Sequence, residues 1–179
     1  MRFKLPLIIG AFATLLAGCG EETPYANRTY VATRGSIQPL LWASRTGAGV
    51  PVFVANAAFG SAHDSATRFV DSLNTSAKDP NFRFTAVGEP LELEGTRILA
   101  VFDPPVGKSA ISFCQGIYPT PVRDEEVLHF RIAVCKGDRR VVEVVARMKR
   151  PLSSTDPDFA ELRKLAGRLL FEREDKTPR

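Results

Sequence analysis

Three stretches of this chain bring together residue types that could do chemistry. Ser61-Ala62-His63-Asp64 holds the nucleophile, base and acid of a hydrolytic triad. Such a triad needs its side chains on one hydrogen-bonded line, whereas immediate neighbours opening a helix point apart. No G-x-S-x-G surrounds Ser61, and Ser61 with Asp64 three residues later has the spacing of a capping box, so a helix should begin there. Gly107-Lys108-Ser109 ends like a phosphate-binding loop, but Phe102 stands where that motif has its first glycine. Pro104 and Pro105 also lack the amide hydrogens that cradle phosphate, and Ser109 leads into an apolar, strand-like stretch, so a surface turn is expected. Asp124-Glu125-Glu126 lacks the alternating oxygens and turn glycine of a calcium loop. That run and the Arg139-Arg140 pair read as solvated surface. Arg147, Lys149 and Arg150 form a further basic cluster that suits solvent or lipid headgroups. The patterns imply no catalytic residue, no cofactor and no metal site, so the chain reads as a non-enzyme.

The N-terminus carries a different chemistry. Two cations, Arg2 and Lys4, precede an apolar run over residues 5–16, which is the layout of a secretory signal and too short to span a bilayer. Leu16-Ala17-Gly18-Cys19 resembles the bacterial lipobox. The resemblance implies that residues 1–18 are removed by signal peptidase II and that Cys19 carries the acyl chains, which hold the mature chain stably on a membrane. It places the protein in the bacterial cell envelope, facing the periplasm. Gly20, rather than Asp, after the cysteine favours the outer membrane under the enteric sorting rule.

About 160 residues then remain of 179, enough for one domain with a real core. The formal charge of +4 falls by two when Arg2 and Lys4 leave. So small a charge argues against nucleic acid as a partner. Cys114 and Cys135 are left as an even pair in an oxidising compartment, where a disulfide is expected. Zinc would need more ligands, and His63 and His129 sit at no zinc spacing.

The elements that must position these residues follow from periodicity. Residues 19–35, polar and without period, read as the lipidated cysteine and a tether. Ile37-Gln38-Pro39-Leu40-Leu41-Trp42 either packs on the domain or forms an interface, so Leu40, Leu41 and Trp42 are candidate partner-binding residues. A β-rich run at residues 50–56 precedes an amphipathic helix from Ser61, ended by Lys78-Asp79-Pro80-Asn81. Strands are expected at residues 82–87 and 97–102. A hairpin then spans residues 129–148 about Lys136-Gly137-Asp138-Arg139, with Phe130, Ile132 and Val134 facing inward. Asp156 with Pro157 starts a second helix bearing Phe159, Leu162, Leu165, Ala166, Leu169 and Leu170.

This order predicts an α+β fold: a two-layer sandwich of a mainly antiparallel sheet with two helices, forming one domain over residues 36–173 before a charged tail at 174–179. In topology it resembles small envelope-assembly lipoprotein domains, such as those of curli secretion and lipopolysaccharide transport, and other proteobacterial envelope lipoproteins. A tether and a compact domain without a catalytic constellation point to a non-enzymatic role, binding a protein partner of the cell envelope or supporting an envelope assembly by the sheet edge or by the segment from Ile37 to Trp42. A carrier with a pocket for a lipid or other apolar ligand is the alternative. The long loop between residues 102 and 128 needs a constraint. A Cys114–Cys135 bond would dock its β-like residues 111–114 and leave 115–127 free. Tyr118 and its neighbouring prolines would then offer a partner surface, with Tyr118→Ala expected to spare the melting temperature.

Overall fold

A computed structural model describes residues 23–32, 49–77, 82–89 and 95–172. The apolar runs become six strands: β1 (Tyr25–Val31), β2 (Val50–Ala55), β3 (Phe84–Val87), β4 (Thr96–Phe102), β5 (Val127–Lys136) and β6 (Arg139–Lys149). Three helices accompany them: α1 (Ala62–Ser76), α2 (Ala110–Cys114) and α3 (Pro157–Phe171). The strands make one mixed sheet in the order β1-β6-β5-β4-β2-β3. Its β1-β6, β6-β5 and β5-β4 pairs are antiparallel, whereas β2 runs parallel to both β3 and β4. Parallel neighbours need a crossover, and α1 supplies the one between β2 and β3. The fold is an α+β sandwich.

The two long helices lay their apolar stripes on the same sheet face. Phe69 and Leu73 of α1 and Phe159, Leu162, Ala166 and Leu170 of α3 meet Val52, Ile98, Phe102, Phe130, Ile132, Val142 and Val144. Four rings form the centre: Phe130 lies 5.6 Å from Phe69, 5.4 Å from Phe102 and 6.2 Å from Phe159. Gly167 lets α3 close on α1, since a Cβ there would come within 3.0 Å of the Ser76 hydroxyl. That hydroxyl donates to Lys164 O at 2.9 Å.

Local signals hold at the helix starts and the hairpin. Asp64 N donates to Ser61 Oγ at 3.0 Å and Ser61 N donates back to Asp64 Oδ2 at 3.4 Å, the reciprocal bonds of a capping box. Asp156 Oδ1 accepts from Asp158 N at 2.9 Å and Phe159 N at 3.2 Å, with Pro157 at the first helical position. The hairpin turns at Gly137, whose φ of 61° suits glycine.

The secondary structure departs from the sequence reading in two places. Tyr25–Val31, within the segment expected to be tether, is an edge strand on β6, so the domain begins at Tyr25 rather than residue 36. A polar strand becomes strand here because β6 offers it a row of backbone partners; only Ala26, opposite Ala146, contributes to the core. Residues 111–114, read as β-like, belong instead to a five-residue helix capped by Ser109. Its buried residues are Ala110, Phe113 and Cys114, a helical spacing concealed by the shortness of the run. Cys19, Leu40, Leu41 and Trp42, the leader and the charged tail lie outside the described residues.

Candidate functional site

The opposite face of the sheet, away from α1 and α3, divides into a covered half and an open half. Alternation along β2, β4 and β5 puts Phe53, Ala55, Leu99, Val101, Ala133 and Cys135 on the covered half, beneath Ala110, Phe113 and Cys114 of α2. A disulfide joins Cys114 to Cys135, with the Cα atoms 5.5 Å apart. Arg97, buried in β4, donates through Nη2 to the carbonyl of Cys114. Tyr118 packs its ring 5.5 Å from Phe53. Burial raises the Tyr118 phenol above its usual range, against the pull of the Arg97 charge. Burial likewise lowers the Arg97 guanidinium, while Tyr118 opposes that shift.

The carboxyl ends of the parallel strands β2 and β4 clamp the rest of the loop. Asn56 and Asp103 both adopt positive φ, 55° and 46°, a conformation that non-glycine residues seldom take. Asn56 Nδ2 donates to Pro119 O at 2.9 Å, and Asp103 O accepts from Val122 N at 2.8 Å. The Asp103 carboxylate accepts from His129 N at 3.2 Å and pairs with Arg150 Nη2 at 2.9 Å. Arg150 also donates to the carbonyls of Asp124 and Val127.

These contacts correct three expectations. Residues 115–127 are not left free by the disulfide, because they are held along their length. Tyr118 is half-buried packing as well as surface, so its removal should affect stability. Arg150 leaves the basic cluster, since its side chain is only 9% exposed and faces Asp103. Ile117 and Val122 are the apolar side chains that the clamped loop still exposes.

The open half lies on β1, β6 and the adjoining part of β5. Tyr25 pairs with Arg147 and Tyr30 with Glu143 in the ladder, so their side chains share this face. Tyr25 is 48% and Tyr30 37% exposed. The Arg147 guanidinium lies 5.9 Å from the Tyr25 ring centre and that of Arg140 lies 3.8 Å from Tyr30, within cation–π range. Glu143 is buried and occupied on both oxygens: Arg131 Nη1 meets Oε1 at 2.6 Å, and Arg140 Nη1 meets Oε2. Arg140 also donates to Ser109 Oγ at 3.0 Å, tying the two halves together. It is therefore not the solvated residue that the Arg139-Arg140 pair suggested. By strand alternation Lys149 follows Arg147 on this face, and both are exposed. Neither has a carboxylate at ion-pair distance among the described residues.

The other sequence candidates resolve into local structure. Ser61 Oγ lies 2.7 Å from Asp64 Oδ2, and the hydroxyl and amide of Ser61 hold the Asp64 carboxyl below its usual range. Residues 105–108 form a turn closed by Lys108 N donating to Pro105 O at 3.2 Å. Asp124 Oδ1 accepts from Glu126 N at 2.8 Å and Val127 N at 3.0 Å, and these backbone bonds lower its carboxyl below its usual range. Among the described residues no three His, Cys, Asp or Glu side chains lie together to hold a metal. A shallow depression of about 450 Å³ is lined by His63, Asp64, Arg68 and Asp71 among others, with opposite charges side by side. Arg97 and Asn56 escaped the sequence reading; an arginine opening an otherwise apolar strand run was the one signal for the first.

No helix among the described residues is long and apolar enough to cross a membrane. No protein-family model matches the chain, and no curated protein does. A solved PelC dodecamer from Paraburkholderia phytofirmans is similar at 11% identity over 82% of this chain and 94% of that chain, with a TM-score of 0.43, too distant to inform fold or activity.

Proposed function

We propose that this chain is a non-enzymatic lipoprotein of the bacterial cell envelope, anchored through Cys19, whose domain binds an envelope protein along the outer edge of β1. The observation that carries the binding mode is the position of β1. It is an edge strand of seven residues, paired on one side by β6 and on the other by no strand among the described residues. An uncovered edge offers a row of backbone donors and acceptors to an added strand. The register on β6 shifts between Arg28 and Tyr30 and resumes at Tyr30 and Val31, so the strand stays paired along its inner side on both sides of the irregularity. A clamped loop exposing Ile117 and Val122 supplies a second, apolar contact surface. The signal-like start, the lipobox-like Leu16-Ala17-Gly18-Cys19 and a disulfide suited to an oxidising compartment support the address. The carrier alternative is weakened, because the space between helices and sheet is filled by Phe69, Phe102, Phe130 and Phe159.

Two measurements test this reading. Fatty-acid labelling should mark the wild-type chain and not Cys19→Ser; equal labelling would remove the anchor. A photoreactive residue at Asn27, in intact cells, should give one discrete adduct with another envelope protein. Loss of that adduct in a chain whose β1 carries Ala26→Pro supports edge pairing, and an undiminished adduct argues against it.

A further inference from the structure

We infer that the open half-face bearing Tyr25, Tyr30, Arg147 and Lys149 docks onto anionic phospholipid headgroups, so that the domain lies on the bilayer in one orientation instead of swinging from its anchor. The inference rests on the lipid anchor proposed above and adds to it a second, noncovalent contact.

Three observations carry it. The first is reach. Tyr25 stands six residues after Cys19, and six residues of any conformation span at most about 20 Å. Because β1 already belongs to the sheet at Tyr25, the ring on this face is the first part of the domain after the lipid. The second is charge. Among the described residues, Arg131, Arg140, Arg147 and Lys149 stand on the half-face against one carboxylate, Glu143, whose two oxygens are taken by Arg131 and Arg140. The outermost cations, Arg147 and Lys149, are the ones left without an acidic partner among the described residues. Glu125 and Glu126 are exposed near the end of β6, where Arg150 N donates to Glu126 O at 2.6 Å, and they mark the acidic rim of the basic area. The third is the pair of half-exposed tyrosines, whose apolar rings and polar hydroxyls suit the headgroup zone. A protein strand seeks the edge of β1, whereas a planar anionic surface matches a flat basic half-face beside an acyl anchor.

The acylated chain reconstituted into nanodiscs of phosphatidylcholine alone, or mixed with phosphatidylglycerol, provides the test. Acetylation of exposed amines is followed by mass spectrometry, with Lys164 of α3 as the reference. Lys149 should react about fivefold more slowly in the anionic discs, the factor corresponding to one basic side chain held at an anionic surface. The protection should disappear in high salt and in Arg147→Glu, whose melting temperature checks that the fold is intact. Equal reactivity of Lys149 in the two lipids, in chains whose mass includes the acyl groups, overturns the inference. If the mass shows no acyl groups, the anchor fails separately. The same chain is then sedimented with phosphatidylglycerol vesicles, where pelleting that Arg147→Glu abolishes sustains the docking face and no pelleting rejects it.

Discussion

The two faces of this sheet are stabilised by different means. Against α1 and α3 the sheet builds a continuous core in which Phe69, Phe102, Phe130 and Leu162 are all at most 1% exposed, and burial of apolar surface is the main force holding the layers together. On the other face a five-residue helix and a long loop cover a small apolar patch, and a disulfide, a buried arginine and the Asn56 and Asp103 clamps hold them there. The remaining half of that face has no covering element among the described residues. The contrast teaches that a short irregular segment, unable to bury enough apolar surface to offset its own ordering, is fixed by a covalent bond and by side chains reaching its backbone. It also places the accessible groups on the face where packing demands least.

The sharpest way to break the contrast is to empty the well-packed side. Phe130→Ala removes the ring that touches three others and should cost about 3–5 kcal/mol, read as a large fall in the denaturant midpoint. A cost below about 1 kcal/mol would mean that the helical face is not the core it is taken to be.

Next in size is the bond on the other side. Replacing both Cys114 and Cys135 by serine opens a link across 21 residues and should cost roughly 3 kcal/mol in the chain-entropy model. Hydrogen exchange should rise in residues 104–122 while α1 and α3 keep their relative protection. A uniform rise across all elements would show that the two faces are one cooperative unit.

The smallest expected effect lies at Tyr118. Tyr118→Ala should cost roughly 1–2 kcal/mol through the lost contact with Phe53. Its phenol also links the patch to pH. Because burial raises its folded-state value above the unfolded value of 10.0, the folded protein keeps that proton when the unfolded chain has lost it. Stability from this group is therefore present below pH 10 and is lost as pH rises through the folded value. Tyr118→Phe should flatten that alkaline decline; a decline of unchanged slope would assign it to other groups.

What local sequence determined is visible in the capping residues, the hairpin and the two amphipathic helices. Ser61 with Asp64, Asp156 with Pro157, and Gly137 act through atoms only a few positions away, so their spacing in the chain is their spacing in space. The stripes of α1 and α3 were legible because the helical period is long enough to repeat. The Cys114–Cys135 pairing was legible because two cysteines remained once Cys19 was set aside, a matter of composition rather than geometry. Tertiary structure decided the rest. Tyr25–Val31 is a strand because β6 has an open side, α2 is a helix because Phe113 and Cys114 need the sheet beneath them, and Arg150 turned from surface cation to clamp on meeting Asp103, 47 positions away. The half-face itself exists only once β1, β5 and β6 lie side by side. Pairing partners and burial are properties of distant residues brought together, and no window along the chain contains both members of such a pair.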